Sequence, residues 1–258
     1  GLEAANGLML RGMNVTGVHL ADWIMERQLD RVAAEMLQAS LESRGMKFLL
    51  GRNTEALIEG DGRRVSAVRL KDGMQLSADL VVVAAGIRPN YALAETAGLF
   101  CGNGRVRGIQ VSDTLQTVTD PSIYAVGECA VHRGVAYGLV APLFEQGKVC
   151  ANHLAHLGIA QYKGSVTSTK LKVTGVDVFS AGDFSGGPDT DDILLHDKQA
   201  GIYKRIVIKN DRVVGAVLYG DTGDGGWHFQ LMKDAQDIRE IRSQLLFGQS
   251  FNNSHLGD

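Results

Sequence analysis

Two stretches of the chain carry residue types suited to holding a polar ligand. Residues 122–130 read Ser-Ile-Tyr-Ala-Val-Gly-Glu-Cys-Ala, an apolar run that opens into Gly127, Glu128, Cys129 and Ala130. A carboxylate at the carboxyl end of a parallel strand sits where open α/β sheets bind ligands, and it can accept a hydrogen bond from a sugar hydroxyl. Small residues beside it let backbone approach a large planar or pyrophosphate-bearing group. Gly86-Ile87-Arg88-Pro89-Asn90 ends another apolar run, with Pro89 fixing the departing turn. Each stretch alone is commonplace. Their order, with Gly127 following Gly86 by 41 residues, is more specific.

A third signal lies at the start. Gly1, followed by Glu3 and the strand-like run 15–19, stands where a dinucleotide-binding βαβ unit places its third fingerprint glycine, a position at which a side chain would crowd the sheet. On that reading the first strand and first two glycines lie upstream. An ordinary helix–strand pair gives the same pattern. Other candidates are set aside. His153 and His156 share a helix but have no evident third metal ligand. Residues 221–232 superficially suit a calcium loop, yet Gly223, Gly225 and Met232 stand at ligand positions. Asp189, Asp191 and Asp192 read as an exposed turn able to steer a basic redox partner. Cys129 reads as a small buried residue more than a reactive thiol, and Trp227 as core.

The elements that must position these groups are α/β in character. Helical spacing is expected over residues 2–9, over 30–44 with Val32, Met36, Leu37 and Leu41 inward, and over 142–157 with Pro142 in the first turn. A last helix is expected near 229–246. Strands are expected at 15–19, 47–50, 80–84 and 123–126, the last two buried in a parallel sheet. Hairpins fill 55–77 around the turns 60–62 and 71–73. After Gly164 the pattern turns antiparallel: 170–179 alternates, and 203–208 pairs with 212–219 through 209–211. The chain has 258 residues, 26 basic and 29 acidic, a net charge of −3 and 45% hydrophobic content. This is globular composition without the basic face of a nucleic-acid binder. No run is long enough to span a bilayer, and no leader is evident. Thirty-two glycines, against about 18 at ordinary usage, point to many tight junctions. Three scattered cysteines without a C-x-x-C give neither a zinc site nor a redox pair, and fit a cytoplasmic setting.

Taken together, Met25-Glu26-Arg27-Gln28-Leu29-Asp30, residues 86–90, residues 124–130 and residues 168–183 resemble the pyridine nucleotide-disulfide oxidoreductase superfamily. Within it the likeness is greatest to the flavin domain of assimilatory NAD(P)H-nitrite reductase large subunits, and it covers residues 1 to about 248. The resemblance implies a partial FAD/NAD(P)-binding, glutathione-reductase-like fold with a C-terminal α+β domain. Residues 1–83 would be the NAD(P)-binding domain without its first strand, 84–163 the end of the FAD-binding domain, 164–250 an interface domain, and 251–258 a frayed tail. It implies a hydride passed from NAD(P)H to FAD and electrons sent onward to a downstream redox domain or small redox protein. Gly127, Glu128, Cys129, Ala130, Pro142 and Leu143 would face FAD. Glu128 stands where most of the superfamily has Asp. Gly1, Glu3, His19, Arg27, Gly86, Ile87 and Arg88 would face NAD(P). His19 replaces the acid usual in NAD-selective units, so the choice of NAD or NADP stays open. No catalytic acid–base pair and no metal site is implied, and iron–sulfur and sirohaem groups belong only to a longer parent. A homodimer is compatible. The alternatives are a stand-alone NAD(P)H:rubredoxin or ferredoxin reductase, and a catalytically inert remnant or interaction module.

Overall fold

The computed structural model describes residues 1–173 and 175–251. Thr174, in the family-like stretch 168–183, and residues 252–258 of the expected tail lie outside the described residues. The chain divides into two compact units, one of residues 1–84 with 168 onward and one of residues 85–167.

In the first unit, helix α1 (Leu2–Leu10) leads to strand β1 (Thr16–Val18), helix α2 (Arg31–Glu42) and strand β2 (Lys47–Leu49), which pairs parallel with β1. Asp30 starts α2 by accepting the Ala33 N–H at 3.0 Å, and Ala33, Ala34, Leu37 and Leu41 form its buried stripe. Val32 and Met36 are only partly buried on that face. Strands β3 (Thr54–Glu59), β4 (Val65–Leu70) and β5 (Gln75–Ser77) form the expected antiparallel meander.

The second unit holds the short helix α3 (Ala92–Thr96), strands β6 (Ile109–Val111), β7 (Ala130–His132) and β8 (Val135–Ala136), and helix α4 (Val140–Leu154). β7 pairs parallel with β6 and antiparallel with β8. Its core is small: Val111, Leu115, Ala125, Ala130, Cys150 and Tyr162.

The chain then returns to the first unit as β9 (Ser168–Val173), β10 (Val176–Gly182), β11 (Asp191–Asp197), β12 (Ile202–Lys209) and β13 (Arg212–Tyr219), followed by helix α5 (Gly225–Lys233). These strands make one antiparallel sheet in the order β11-β12-β13-β10-β9. The β12–β13 turn places Asn210 and Asp211 at φ 51° and 54°, the conformation a two-residue hairpin demands. Tyr203, Val217, Tyr219 and Val178 pack with the α2 stripe, while Phe179, Ile206, Ile208 and Leu218 belong to a second cluster with Leu231, Ile238 and Leu245.

Four expectations are corrected. Residues 80–84 form no strand, and Val83 is 77% exposed. Apolar strands are stable only where neighbours complete their hydrogen bonds, and no described residue pairs with this run. Residues 123–126 keep only a single bridge, Tyr124 to Gln116. The run 170–179 divides between β9, which ends at Val173, and β10, which starts at Val176, and so is two paired strands instead of one. The last helix stops at Lys233, because Ala235 takes φ 47° and the Ile238 N–H is captured by the Asp211 carbonyl at 2.9 Å.

Candidate functional site

In the second unit, the turn 127–130 leads directly into β7, in register with β6 through Ala130 and Ile109. Gly127 lies at φ 95°, a left-handed value suited to glycine, and nothing stands within 4 Å of where its Cβ would be. The turn is pinned at three points. The Gly127 N–H donates to the Gln146 Oε1 at 2.9 Å, the Ala130 N–H to the Gly127 carbonyl at 3.1 Å, and the Ile109 N–H to the Cys129 carbonyl at 2.8 Å. Gly108 supports it from beneath, since a Cβ there would come within 2.8 Å of the Cys129 carbonyl oxygen. Glu128 is exposed, and the N–H groups of Glu128 and Cys129 have no acceptor among the described residues. Cys129 is half-buried, with Sγ 3.5 Å from the Val126 carbonyl oxygen, rather than the fully buried residue expected.

Helix α4 begins at Val140 with Leu139 extended ahead of it and no side-chain cap. Its first amides therefore present unneutralised positive potential. Pro142 is buried in the first turn, Leu143 is half-buried, and Pro142, Gln146 and Cys150 line the inward face. Gly86, at φ 85° with open space around it, and the exposed Ile87 and Arg88 belong to this unit too. A charge cluster lies on its far edge of sequence: Asp113 accepts from the buried His132 Nε2 at 2.8 Å, from Arg133 at 2.7 Å and from Lys163 at 3.2 Å. The Arg133 guanidinium first, then His132 and Lys163, hold the Asp113 carboxyl well below the ordinary range. Burial pushes the Tyr162 phenol up to about 12.

Gly1, Glu3, His19 and Arg27 lie in the first unit. Gly1 caps α1, and a Cβ on it would meet only the Ala84 Cβ at 3.4 Å, an ordinary contact, so the expected crowding does not occur. Glu3 and Arg27 are exposed. His19, one residue past β1, has its Nε2 2.9 Å from the Glu26 carboxylate. An acid does stand at the end of this strand, reached through space from residue 26. The spacing alone hid it, because Met25 at φ 56° bends the chain back. The acidic residues 189, 191 and 192 are paired with Lys209, Arg242 and Arg205, so they offer no free negative patch, and Asp191 and Asp192 lie on β11 rather than in a turn. Trp227 is partly buried against the second cluster of the first unit. Among the described residues no three His, Cys, Asp or Glu side chains group as metal ligands.

Residues 1–164 match the family described as Pyridine nucleotide-disulphide oxidoreductase. The chain belongs to that family. Residues 168–236 also match the Rubredoxin NAD+ reductase C-terminal domain. The chain is 51% identical over 240 residues to a Nitrite reductase [NAD(P)H] of Bacillus subtilis, covering 93% of this chain and 29% of the relative. It is 43% identical over 246 residues to the Assimilatory nitrate reductase electron transfer subunit of the same organism, covering 95% and 31%. The chain thus spans about a third or less of the length of these relatives. Among solved structures, an FAD-dependent pyridine nucleotide-disulphide oxidoreductase from Desulfovibrio vulgaris superposes with a TM-score of 0.76 at 27% identity, over 93% of this chain and 63% of that one. A NAD-dependent persulfide reductase from A. fulgidus gives 0.79 at 24%, over 93% and 48%. The α/β family fold and the nitrite-reductase-like resemblance read from the sequence both hold.

Proposed function

We propose that this chain supplies part of an FAD-dependent NAD(P)H oxidoreductase of the nitrite reductase type. Residues 1–83 form its nicotinamide side, 84–163 the later part of its flavin side, and 164–250 an interface domain. Bound FAD supplies the chemistry, taking a hydride from NAD(P)H and passing electrons on. The observation that carries the reading is the turn 127–130. Its glycine leaves open space on one side, its two unpaired amides suit a phosphate, and a carboxylate is available for a ribitol hydroxyl. These residues fit one side of the flavin nucleotide. Gly127 and Ala130 give close approach, Glu128 accepts from the sugar chain, and the start of α4, with Pro142 and Leu143, favours negative charge beside it. Gly1, Glu3, His19 and Arg27, in the first unit, serve the nicotinamide nucleotide, and the family resemblance assigns Gly86, Ile87 and Arg88 of the second unit to the same nucleotide. His19 and Glu26 as a pair can accept from and donate to ribose hydroxyls, which supports NAD over NADP.

In this reading the electron acceptor is a further redox centre of a longer polypeptide, carrying iron–sulfur and sirohaem groups outside these residues. A second reading, reduction of a separate rubredoxin- or ferredoxin-like protein, draws support from the match of residues 168–236. No helix among the described residues is long and apolar enough to cross a membrane, and the reading places the reaction in the cytoplasm with a homodimer as its assembly.

The test is a titration of the purified chain with FAD, followed by anaerobic addition of NADH or NADPH. We expect flavin absorbance to co-purify or be taken up stoichiometrically, to bleach faster with NADH, and to weaken in E128A. A colourless chain that takes up no flavin would favour the inert-module alternative.

A further inference from the structure

Gln146 is a buried polar side chain whose burial hydrophobic packing does not explain. It lies on the inward face of α4, fully buried, between Pro142 and Cys150. Its Oε1 accepts the Gly127 N–H at 2.9 Å, and its buried Nε2 lies toward the Tyr162 phenol without completing a hydrogen bond of ordinary geometry. A buried amide N–H without an acceptor is a cost that a leucine of similar size would avoid. A glutamine held at that cost is doing something other than filling space.

We infer that Gln146 is a positioning residue for the flavin-facing turn. This rests on the flavin reading above. The turn has four backbone N–H groups. Those of Gly127 and Ala130 are taken internally, while those of Glu128 and Cys129 are left for an anion. Where the Gly127 N–H points depends on the orientation of the Val126–Gly127 peptide. Glycine at φ 95° with nothing within 4 Å of its Cβ position imposes no steric preference on it. The Oε1 of Gln146 sets that orientation. Because Gln146 is carried on α4, it also ties the turn to the helix whose amino end faces the same group.

The experiment uses wild-type chain, Q146L, which removes the acceptor at similar volume, and Q146E, which retains one. The readouts are hydrogen exchange of the Gly127 amide, FAD affinity, and the reduction potential of bound flavin. We expect a protected Gly127 amide in wild type and Q146E. In Q146L that protection is lost, FAD binds at least about tenfold more weakly, and the flavin potential shifts. Folded Q146L that binds FAD with wild-type affinity and potential overturns the role while leaving the flavin reading intact. Wild-type chain that takes up no FAD overturns the flavin reading and the role with it. Should Q146L fail to fold, the wild-type Gly127 amide decides: exchange at the rate of an open loop overturns the inference, and protection retained in Q146E supports it.

Discussion

The tie between α2 and the C-terminal sheet can be cut one bond at a time. Asp30 Oδ1 caps α2 through the Ala33 N–H, and Oδ2 accepts from the buried Tyr203 hydroxyl at 2.5 Å and lies 3.4 Å from Arg205 Nη1. Arg205 is separately held by Asp192 at 2.7 Å. In Y203F the cap and both arginine contacts survive, so only a hydrogen bond to a charged acceptor is lost, about 1.5–3 kcal/mol. In D30A the cap goes as well, adding about 1 kcal/mol, and the Tyr203 hydroxyl is left buried without an acceptor. The expected losses are about 2 kcal/mol for Y203F and about 3–4 kcal/mol for D30A. The double variant should fall well short of the sum, since both remove one bond. Both tryptophans, Trp23 and Trp227, lie in the first unit, so their fluorescence during urea unfolding reports that unit alone. Alkali supplies a second check. Burial, then Asp30, holds the Tyr203 phenol well above its ordinary value, so the stability it contributes is present below pH ~10 and lost as pH rises beyond it. Y203F should lose less stability over that range than wild type. Additive effects of the two substitutions, or equal alkaline losses, would refute the reasoning.

Three further outcomes are expected. A methyl group on Gly215, in β13, would stand 2.1 Å from the Asp183 carbonyl oxygen, so G215A should lose about 1–3 kcal/mol or more, read by the same fluorescence. Asp113 has a depressed pKa, so its contribution is present above pH ~4 and lost as pH falls below. Near-ultraviolet circular dichroism of the tyrosines should show wild type losing structure on acidification, with D113N less stable at neutral pH and flatter below. G108A should displace the Cys129 carbonyl and weaken FAD uptake in the titration described above, without altering tryptophan-detected unfolding.

Local signals and the elements they specify agree best where each element is completed by its sequence neighbours. The β12–β13 hairpin and α2 with its Asp30 cap are of this kind, because turn geometry and helix capping act within a few residues. The run at 80–84 shows the opposite: its apolar residues state that it needs partners on both sides without saying where those partners are. At 229–246 the apolar spacing of Leu231, Ile238 and Leu245 mimics one helix, but only Leu231 is carried by α5, and Ile238 and Leu245 reach the core after Lys233. In the candidate site, Gly127 and Glu128 were legible by residue type, but not as the end of a strand, since 123–126 forms none and their turn instead leads into β7. Glu26 was not, since it meets His19 only through a left-handed bend. Gln146 left one readable trace, a polar side chain at i+4 from Pro142 and i−4 from Cys150 on an otherwise inward face.

The uncovered run at 80–87 also governs how this polypeptide behaves at high concentration. Leu80, Val82, Val83 and Ile87 are exposed, the run contains no charge and no proline, and its backbone has no ladder partner among the described residues. Such segments template intermolecular β-stacking of identical chains. Solutions of this chain should therefore self-associate with rising concentration, and a single lysine in place of Val83 would act as a gatekeeper that keeps the copies apart.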